Sequence, residues 1–273
     1  MYTMGIDVGS ASSKVVILKD GKDIMAGEVV QIGTGSSGPK RALSGALEKT
    51  GLALTDMVRV VATGYGRFSL EEAHQQFTEI RCQAVGNYFL QPSVRTIIDI
   101  GGQDAKAIRV DSQGNVRQFF MNDKCAAGTG RFLDVMSRVL EVELSQMAEY
   151  DARATEPAAV SSTCTVFAES EVISQLSRGV SQENIIAGVH QSIASKVCGL
   201  ARRGIIEDDV VMCGGVAKNA GVVRAVAREL GRNVVVTPYP QITAALGAAV
   251  LAYQEAIKQK EITNDKERGS KNG

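Results

Sequence analysis

Two cysteines, Cys125 and Cys164, stand in polar loops of glycine, serine and threonine, each followed by a run with helical periodicity. A cysteine buried for structural reasons usually has apolar neighbours, because its thiol packs as a small hydrophobe. We expect each of these two to lie where a helix begins, so that the helix dipole favours the thiolate. A thiolate is a nucleophile or a metal ligand, and the two loops are therefore candidates for chemistry.

The number of available ligands bears on the kind of site. A nucleophile needs a base nearby, but His74 and His190 lie in helical contexts with no sequence tie to either loop. The remaining cysteines, Cys82, Cys198 and Cys213, follow helical or strand patterns and are expected in the core. A zinc site takes four ligands and an iron–sulfur cluster usually takes four thiolates, whereas one chain offers two. A homodimer that shares one cluster on its two-fold axis satisfies that count.

An internal duplication supplies a second kind of site. Residues 6–18, Ile-Asp-Val-Gly-Ser-Ala-Ser-Ser-Lys-Val-Val-Ile-Leu, recur at 98–110 as Ile-Asp-Ile-Gly-Gly-Gln-Asp-Ala-Lys-Ala-Ile-Arg-Val, with Asp, Gly and Lys in register. Each copy predicts a β-hairpin with a tight glycine turn. Backbone N–H groups in such a turn bind phosphate oxygens much as a helix N-terminus does. One copy alone indicates only a turn, but two copies fit a phosphate clamp with one hairpin on each side of a cleft.

Phosphate contacts and catalytic carboxylates are assigned to these two turns. The residues expected to hold phosphate are Ser10, Ala11, Ser12, Ser13 and Lys14 in the first copy and Gly101, Gly102 and Gln103 in the second. A carboxylate at each strand end, Asp7 in the first copy and Asp99 or Asp104 in the second, suits a magnesium ion held largely through water, and Asp7 is assigned to it. Asp7 and Asp104 are the expected catalytic residues, supporting magnesium and the attacking water. A plain turn role for Asp104 is the alternative.

A third glycine cluster follows the apolar segment 210–213. Gly214 and Gly215 stand between this predicted strand and a helix, and such a turn lets the backbone approach a ribose or a flat ring closely. We assign these glycines, with Asn219 and Gln241, to the adenosine. The chain has no Gly-x-x-x-x-Gly-Lys-Ser/Thr loop, and no Gly-x-Gly-x-x-Gly follows a strand. The order hairpin, hairpin, strand-Gly-Gly-helix resembles the nucleotide motifs of the acetate and sugar kinase, Hsp70 and actin superfamily, whose halves are ribonuclease-H-like.

The motifs need strands and helices to position them. Besides the hairpins, periodicity predicts strands near 24–32, 58–63, 116–121, 209–213 and 234–236, and helices near 38–50, 70–90, 130–140, 165–176, 184–203, 220–230 and 242–256. This pattern predicts two α/β domains, residues 1–95 and 96–257, with a cleft between them. The resemblance to the superfamily implies that both domains are ribonuclease-H-like and that the cleft binds a nucleotide. Residues 258–273, rich in Lys, Glu, Asn and Gly, are expected to form a disordered tail.

Composition excludes several classes of function. Among 273 residues, Lys plus Arg and Asp plus Glu number 30 each, so no net charge recruits nucleic acid or an anionic membrane. No apolar run reaches the roughly 18 residues of a membrane span. Five cysteines, an odd number, argue against the disulfide framework of a secreted protein. We expect a cytoplasmic protein with neither nucleic acid nor membrane as a partner.

The two cysteine loops carry a specific resemblance. Residues 122–134, Asn-Asp-Lys-Cys-Ala-Ala-Gly-Thr-Gly-Arg-Phe-Leu-Asp, and 161–173, Ser-Ser-Thr-Cys-Thr-Val-Phe-Ala-Glu-Ser-Glu-Val-Ile, resemble the signature loops of the activator (component A) of 2-hydroxyacyl-CoA dehydratases. This activator belongs to the BadF/BadG/BcrA/BcrD type of ATPase, as do the ATPase subunits of benzoyl-CoA reductase. The resemblance extends from Met4 to about Ala256 and includes 63–67, 98–104 and 245–249.

The resemblance implies a function for the whole chain. It implies a homodimer with one bridging 4Fe-4S cluster held by Cys125 and Cys164, and a site for ATP or ADP with Mg²⁺. It further implies that an electron from ferredoxin or flavodoxin passes to the dehydratase (component D) at low potential, driven by ATP hydrolysis. Two other interpretations stay open: a sugar-type kinase of the same superfamily, and a nucleotide switch without redox chemistry.

Overall fold

The structure is a computed structural model and describes residues 1–161 and 164–271. The chain divides into two compact units: unit 1 comprises Met1–Phe89 and Ile242–Gly273, and unit 2 comprises Leu90–Gln241. In chain order the elements are β1 (Tyr2–Val8), β2 (Ser13–Lys19), β3 (Asp23–Val30), α1 (Gly38–Thr50), β4 (Met57–Thr63), β5 (Gln75–Gln76), α2 (Glu79–Leu90), β6 (Thr96–Ile100), β7 (Ala105–Val110), β8 (Val116–Asn122), α3 (Gly130–Leu140), α4 (Met147–Ala152), α5 (Thr165–Ser177), α6 (Gln182–Ala201), β9 (Val210–Cys213), α7 (Ala220–Leu230), β10 (Val234–Val236) and α8 (Thr243–Lys271).

The duplication seen in the sequence extends to the topology of both sheets. The sheet of unit 1 has the order β3-β2-β1-β4-β5, and that of unit 2 has the order β10-β9-β6-β7-β8. In each sheet the first strand pairs antiparallel with the second, the second pairs antiparallel with the third, and the first pairs parallel with the fourth. The fold is therefore two copies of one mixed α/β arrangement, as the motifs predicted.

Helix α8 packs against β1 within unit 1. Gly5 permits this contact, because a Cβ atom there would stand 2.0 Å from the carbonyl oxygen of Ala245. Thr3 Oγ1 donates a hydrogen bond to the carbonyl oxygen of Ala249 over 3.1 Å. The sequence pattern placed residues 242–257 in the second domain. That assignment was wrong, because α8 belongs to unit 1. Helix α8 also continues to Lys271, where the sequence predicted a disordered tail from residue 258.

The core of unit 2 joins the helices that follow the two cysteine loops. Phe132, Leu133 and Met136 of α3 share one apolar cluster with Ala168 and Val172 of α5. The strongly amphipathic sequence of α3 explains this arrangement, since its apolar residues recur on one face. The predicted helix at 70–90 was wrong for residues 70–78, because α2 begins only at Glu79 and β5 lies within that stretch. The short helix α4 was not predicted, because six residues are too few to show a period. Among the described residues, no helix has the length and apolar character needed to cross a membrane.

Candidate nucleotide and metal sites

The first hairpin places a carboxylate beside its glycine turn. Asp7, near the end of β1, lies opposite Lys14 of β2, and Lys14 Nζ is 2.9 Å from Asp7 Oδ2. The amide of Gly9 donates to the carbonyl oxygen of Ser12 over 3.1 Å and closes the turn. Ser10, between these two, remains partly exposed. The expected phosphate turn therefore forms, with the predicted lysine already paired to the predicted catalytic aspartate.

Asp7 has one oxygen that the protein leaves without a hydrogen bond. The residue is 3% exposed, and Asp7 Oδ1 has no hydrogen-bond partner among the described residues. A buried carboxylate oxygen without a partner is costly unless a ligand satisfies it. This oxygen fits a water molecule bound to Mg²⁺, since that cation prefers oxygen ligands and keeps several of its waters.

Ser13 makes a structural contact with its side chain. It is fully buried at the start of β2, and its hydroxyl donates to the carbonyl oxygen of Ile32 over 2.8 Å. The hydroxyl is therefore engaged within unit 1, where the sequence assigned it to phosphate. The more exposed part of the turn is formed by Ala11 and its neighbours Ser10 and Ser12.

The second hairpin contains a buried charge cluster. Lys106 Nζ lies 3.2 Å from Asp99 Oδ2 and 2.8 Å from Asp104 Oδ2, and Lys106 is 1% exposed. Two carboxylates around one ammonium leave a net formal charge of minus one in a poorly solvated place. Asp104 is therefore more than a turn residue, because its side chain completes this cluster. Gly101 closes the turn by donating its amide to the Asp104 carbonyl oxygen over 2.9 Å.

Both ends of the Cys125 loop are attached to this second hairpin. Before the loop, Asn122 at the end of β8 pairs with Ala105, the residue after Asp104. After the loop, the first amides of α3 bond to the turn itself: Gly130 N donates to Gly101 O over 2.9 Å and Arg131 N to Gly102 O over 2.8 Å. The loop of residues 123–129 therefore begins and ends at segments that are bonded to the second hairpin.

The two glycines after β9 have different reasons to be glycine. Gly214 has φ +87° and ψ 176°, and an added Cβ would stand 2.3 Å from the carbonyl oxygen of Ile100. This position requires glycine for the fold alone. At Gly215 the nearest atom to an added Cβ is Gln241 Nε2, 3.5 Å away. Gly215 therefore presents open backbone next to Gln241, as the adenosine assignment requires.

Asn219 has a structural task that the sequence did not predict. Its Oδ1 accepts from Gly221 N and Val222 N and caps α7, while Nδ2 lies 3.2 Å from His190 Nε2. His190 Nδ1 in turn lies 3.3 Å from Asp151 Oδ1. Burial by itself raises the pKa of Asp151, but the neighbouring His190 and Arg224 lower it more, and the net shift is downward. Both polar atoms of the Asn219 side chain take part in this network. If Asn219 contacts the adenosine, as the sequence predicted, it does so through its backbone.

Three of the five cysteines are core thiols, as their sequence contexts predicted. Cys82, Cys198 and Cys213 are completely buried. Burial raises the pKa of Cys82 and that of Cys198 to about 12, so both thiols stay protonated at neutral pH. Cys82 and Cys198 are therefore poor candidates for metal ligands, because a ligand thiol must lose its proton.

Cys125 and Cys164 are only partly buried, but only one of them begins a helix. Cys164 is the N-cap of α5, and its carbonyl oxygen accepts from Ala168 N over 3.0 Å. Cys125 precedes a turn, and α3 begins only at Gly130. The expectation that both cysteines start helices was wrong for Cys125, because Ala126 to Thr129 form a turn between the thiol and α3. The helix dipole therefore acts closely on Cys164 alone.

The surroundings of the two thiols do not complete a metal site within the described part of one chain. Within residues 1–161 and 164–271, no group of three or more His, Cys, Asp or Glu side chains is placed to hold a metal ion. Helices α3 and α5, which follow the two loops, pack on each other. Directly after Cys164, Val166 and Phe167 are 65% and 64% exposed. Exposed apolar side chains of this size are typical of a protein contact.

Two contacts near the sites were not predicted from the sequence. Lys106 bridges two aspartates, and its recurrence in register with Lys14 was the available signal. Glu171 on α5 accepts from the amide of Ser161 over 2.5 Å, and the sequence gave no sign of this contact. Such pairs depend on tertiary packing, which periodicity does not report.

Comparison with known proteins decides the family. Residues 4–252 match the BadF/BadG/BcrA/BcrD ATPase family. The chain belongs to this family. It is 69% identical over 259 residues to the activator of lactoyl-CoA dehydratase of Anaerotignum propionicum, covering 95% of this chain and 100% of that protein. The family and the two-unit topology together confirm the predicted fold class.

Solved structures show the same relationship. The activator of the 2-hydroxyisocaproyl-CoA dehydratase from Clostridium difficile, solved with bound ADPNP, has a TM-score of 0.93 at 51% identity, over 96% of this chain and 97% of that one. A glucokinase of the ROK family from Streptomyces griseus, with glucose and AMPPNP, has a TM-score of 0.56 at 13% identity, over 93% of this chain and 100% of that one. At this low identity, the similarity to the glucokinase shows only that the two proteins have the same fold.

Proposed function

We propose that this protein is an ATP-dependent one-electron activator of a 2-hydroxyacyl-CoA dehydratase. The observation that carries the proposal is the attachment of the Cys125 loop, at both of its ends, to the second glycine hairpin. Phosphoryl transfer to a sugar does not require a cysteine loop that is bound to the phosphate turn. The activators to which this chain is similar support the same conclusion, since two of them are named for dehydratases of 2-hydroxyacyl-CoA compounds.

In this proposal both glycine hairpins bind the phosphates of ATP. Asp7, with its unsatisfied Oδ1, holds Mg²⁺ through water, and Asp104 orients the attacking water. Backbone amides of residues 10–14 and 101–103 contact the phosphates. Gly215 and Gln241 contact the adenosine, with Gly214 shaping the turn. Lys106 keeps the carboxylate of Asp104 in place beside the phosphates.

Cys125 and Cys164 of each copy are proposed to hold a 4Fe-4S cluster shared by a homodimer. Their partial exposure and the lack of a complete ligand set in the described part of one chain support this count. When bound, such a cluster supplies one-electron transfer, from ferredoxin or flavodoxin as donor to the dehydratase. The residues of this chain position the ligands and couple them to the nucleotide, and exposed Val166 and Phe167 fit the contact between copies.

Anaerobic purification tests the proposal. We expect about four iron and four sulfide per dimer, loss of iron in Cys125→Ser and in Cys164→Ser, and ATP-dependent reduction of a dehydratase by the wild type. Cys198→Ala, which replaces a buried thiol, is the matched control and should keep its iron while losing some stability. Full iron content in Cys125→Ser would sink the proposal, and so would phosphorylation of a sugar by an iron-free wild type.

A further inference from the structure

We infer that Glu171 is a positioning residue for the Cys164 thiol, an inference that rests on the proposed function. Glu171 Oε2 accepts a hydrogen bond from the amide of Ser161 over 2.5 Å. Ser192 Oγ donates to the carbonyl oxygen of the same Ser161 over 3.2 Å. Side chains of two helices, α5 and α6, thus bind both backbone groups of the residue that stands three positions before Cys164.

The position of Glu171 on its helix makes this contact effective. Cys164 caps α5, and Glu171 lies two turns further along the helix, on the same face. The bond from Glu171 back to Ser161 joins residues ten apart and so closes a ring of chain that contains Cys164. Three peptide steps allow Cys164 to be at most about 11 Å from Ser161. The backbone of Cys164 is thereby limited by the fixed position of Ser161 on one side and by α5 on the other.

Further contacts hold the segment that leads to Ser161. Ala158 N donates to the carbonyl oxygen of Asn184 on α6 over 2.8 Å. Gln175, one turn beyond Glu171 on α5, donates from Nε2 to the carbonyl oxygen of Ala159 over 3.4 Å. The anchor at Ser161 is the one nearest the thiol, and its acceptor is a carboxylate, whose hydrogen bonds are shorter and stronger than neutral ones. Among these hydrogen bonds, the one to Glu171 is therefore expected to restrict the movement of Cys164 most.

A thiol-reactivity experiment on the full-length, iron-free protein tests the anchor. The rates at which iodoacetamide alkylates Cys164 and Cys125 in the native state are measured by mass spectrometry of peptides, with Cys125 as the internal control. In Glu171→Ala we expect the Cys164 rate to rise at least about threefold, since a released chain exposes the thiol. The Cys125 rate should stay within about 1.5-fold, because its loop is fixed by the second hairpin.

Two matched variants distinguish the effect of the hydrogen bond to Ser161 from the effect of the Glu171 charge and from a general destabilisation of α5. Glu171→Gln keeps an acceptor oxygen and removes the charge, so its Cys164 rate should stay close to that of the wild type. Glu169→Ala removes a carboxylate from α5 at a position that faces another direction, and it should change neither rate. If Glu171→Ala unfolds, Ser192→Ala tests the second bond of the same anchor with a smaller change. An unchanged Cys164 rate in Glu171→Ala, equal rises at both thiols, or a Gln variant that behaves like Ala would overturn the inference.

The iron-loaded dimer gives an independent readout. Glu171→Ala should bind iron at the wild-type stoichiometry but release it to a chelator several-fold faster, and Glu171→Gln should not. Equal release rates would overturn the inference. A wild-type protein that binds no iron would contradict the proposed function instead, and the alkylation rates would then still decide whether Glu171 fixes Cys164.

Discussion

The amide nitrogen of Arg131 donates a hydrogen bond of 2.8 Å to the carbonyl oxygen of Gly102. This bond joins the first turn of α3 to the glycine turn at which we place a nucleotide phosphate. The strand before the Cys125 loop pairs with Ala105, so both ends of the loop are bonded to the same hairpin. Backbone bonds within unit 2 therefore connect the Cys125 loop to the turn at which we propose the phosphate.

The first prediction follows from this connection. Binding of an ATP analogue instead of ADP should move the turn at Gly102, and with it α3 and the Cys125 loop. An iron chelator should then remove iron from the dimer at rates that differ at least about threefold between the two nucleotide states. The measurement is the loss of cluster absorbance over time under anaerobic conditions. In a rigid dimer the two rates, and the cluster potentials, would be equal.

The second prediction concerns the two assigned carboxylates. Asp7→Asn and Asp104→Asn should each lower the kcat of ATP hydrolysis by about 10²-fold or more, because each removes a charge used on the metal or the attacking water. Steady-state phosphate release measures this effect. Asp20→Asn is the control, since Asp20 is an exposed carboxylate at the opposite end of the same hairpin. Normal rates in both test variants would refute the assignment.

The third prediction separates the two glycines. Gly214→Ala should lower the free energy of unfolding by more than about 1 kcal/mol, because its backbone conformation and the Ile100 carbonyl both exclude a Cβ. Gly215→Ala should change that free energy by less than about 0.5 kcal/mol, yet raise the Kd of an ATP analogue several-fold. Urea denaturation and calorimetric titration give the two quantities. An unchanged Kd in Gly215→Ala would show that the adenosine does not contact this backbone.

The fourth prediction is a pH dependence at Asp151. Because the folded protein holds the pKa of Asp151 below its ordinary value of 3.8, the carboxylate contributes stability above that value. The contribution disappears as the pH falls through the lower, folded pKa. Asp151→Asn should therefore be less stable at pH 7, by about 1 kcal/mol, and lose less stability than the wild type below pH 3.8.

Urea denaturation at a series of pH values checks this, and a second ion pair supplies the control. Asp208 pairs with Arg232 at 2.5 Å, but its side chain is 62% exposed. Asp208→Asn should change the free energy of unfolding at pH 7 by less than about 0.5 kcal/mol, because solvent screens an exposed pair. Parallel curves for the wild type and Asp151→Asn would contradict the prediction.

The sequence by itself determined the local elements and the motifs they carry. Two hairpins in register, the strand that ends at Cys213 before Gly214, and helices such as α7 (Ala220–Leu230) all follow from periodicity and from glycine turns. The burial of Cys82, Cys198 and Cys213 was equally predictable, because their neighbours alternate or repeat as core residues do. These features depend on interactions over a few residues, which the order of side chains records directly.

Tertiary structure alone decided which separated residues meet. Helix α8 joins unit 1 because Gly5 lets a distant segment approach β1, a contact with no local signal. Asn219 lies beside His190, and Glu171 holds Ser161, both through packing between elements. Such contacts form because they lower the free energy of the whole folded chain. The pattern of side chains over a few neighbouring residues therefore does not predict them.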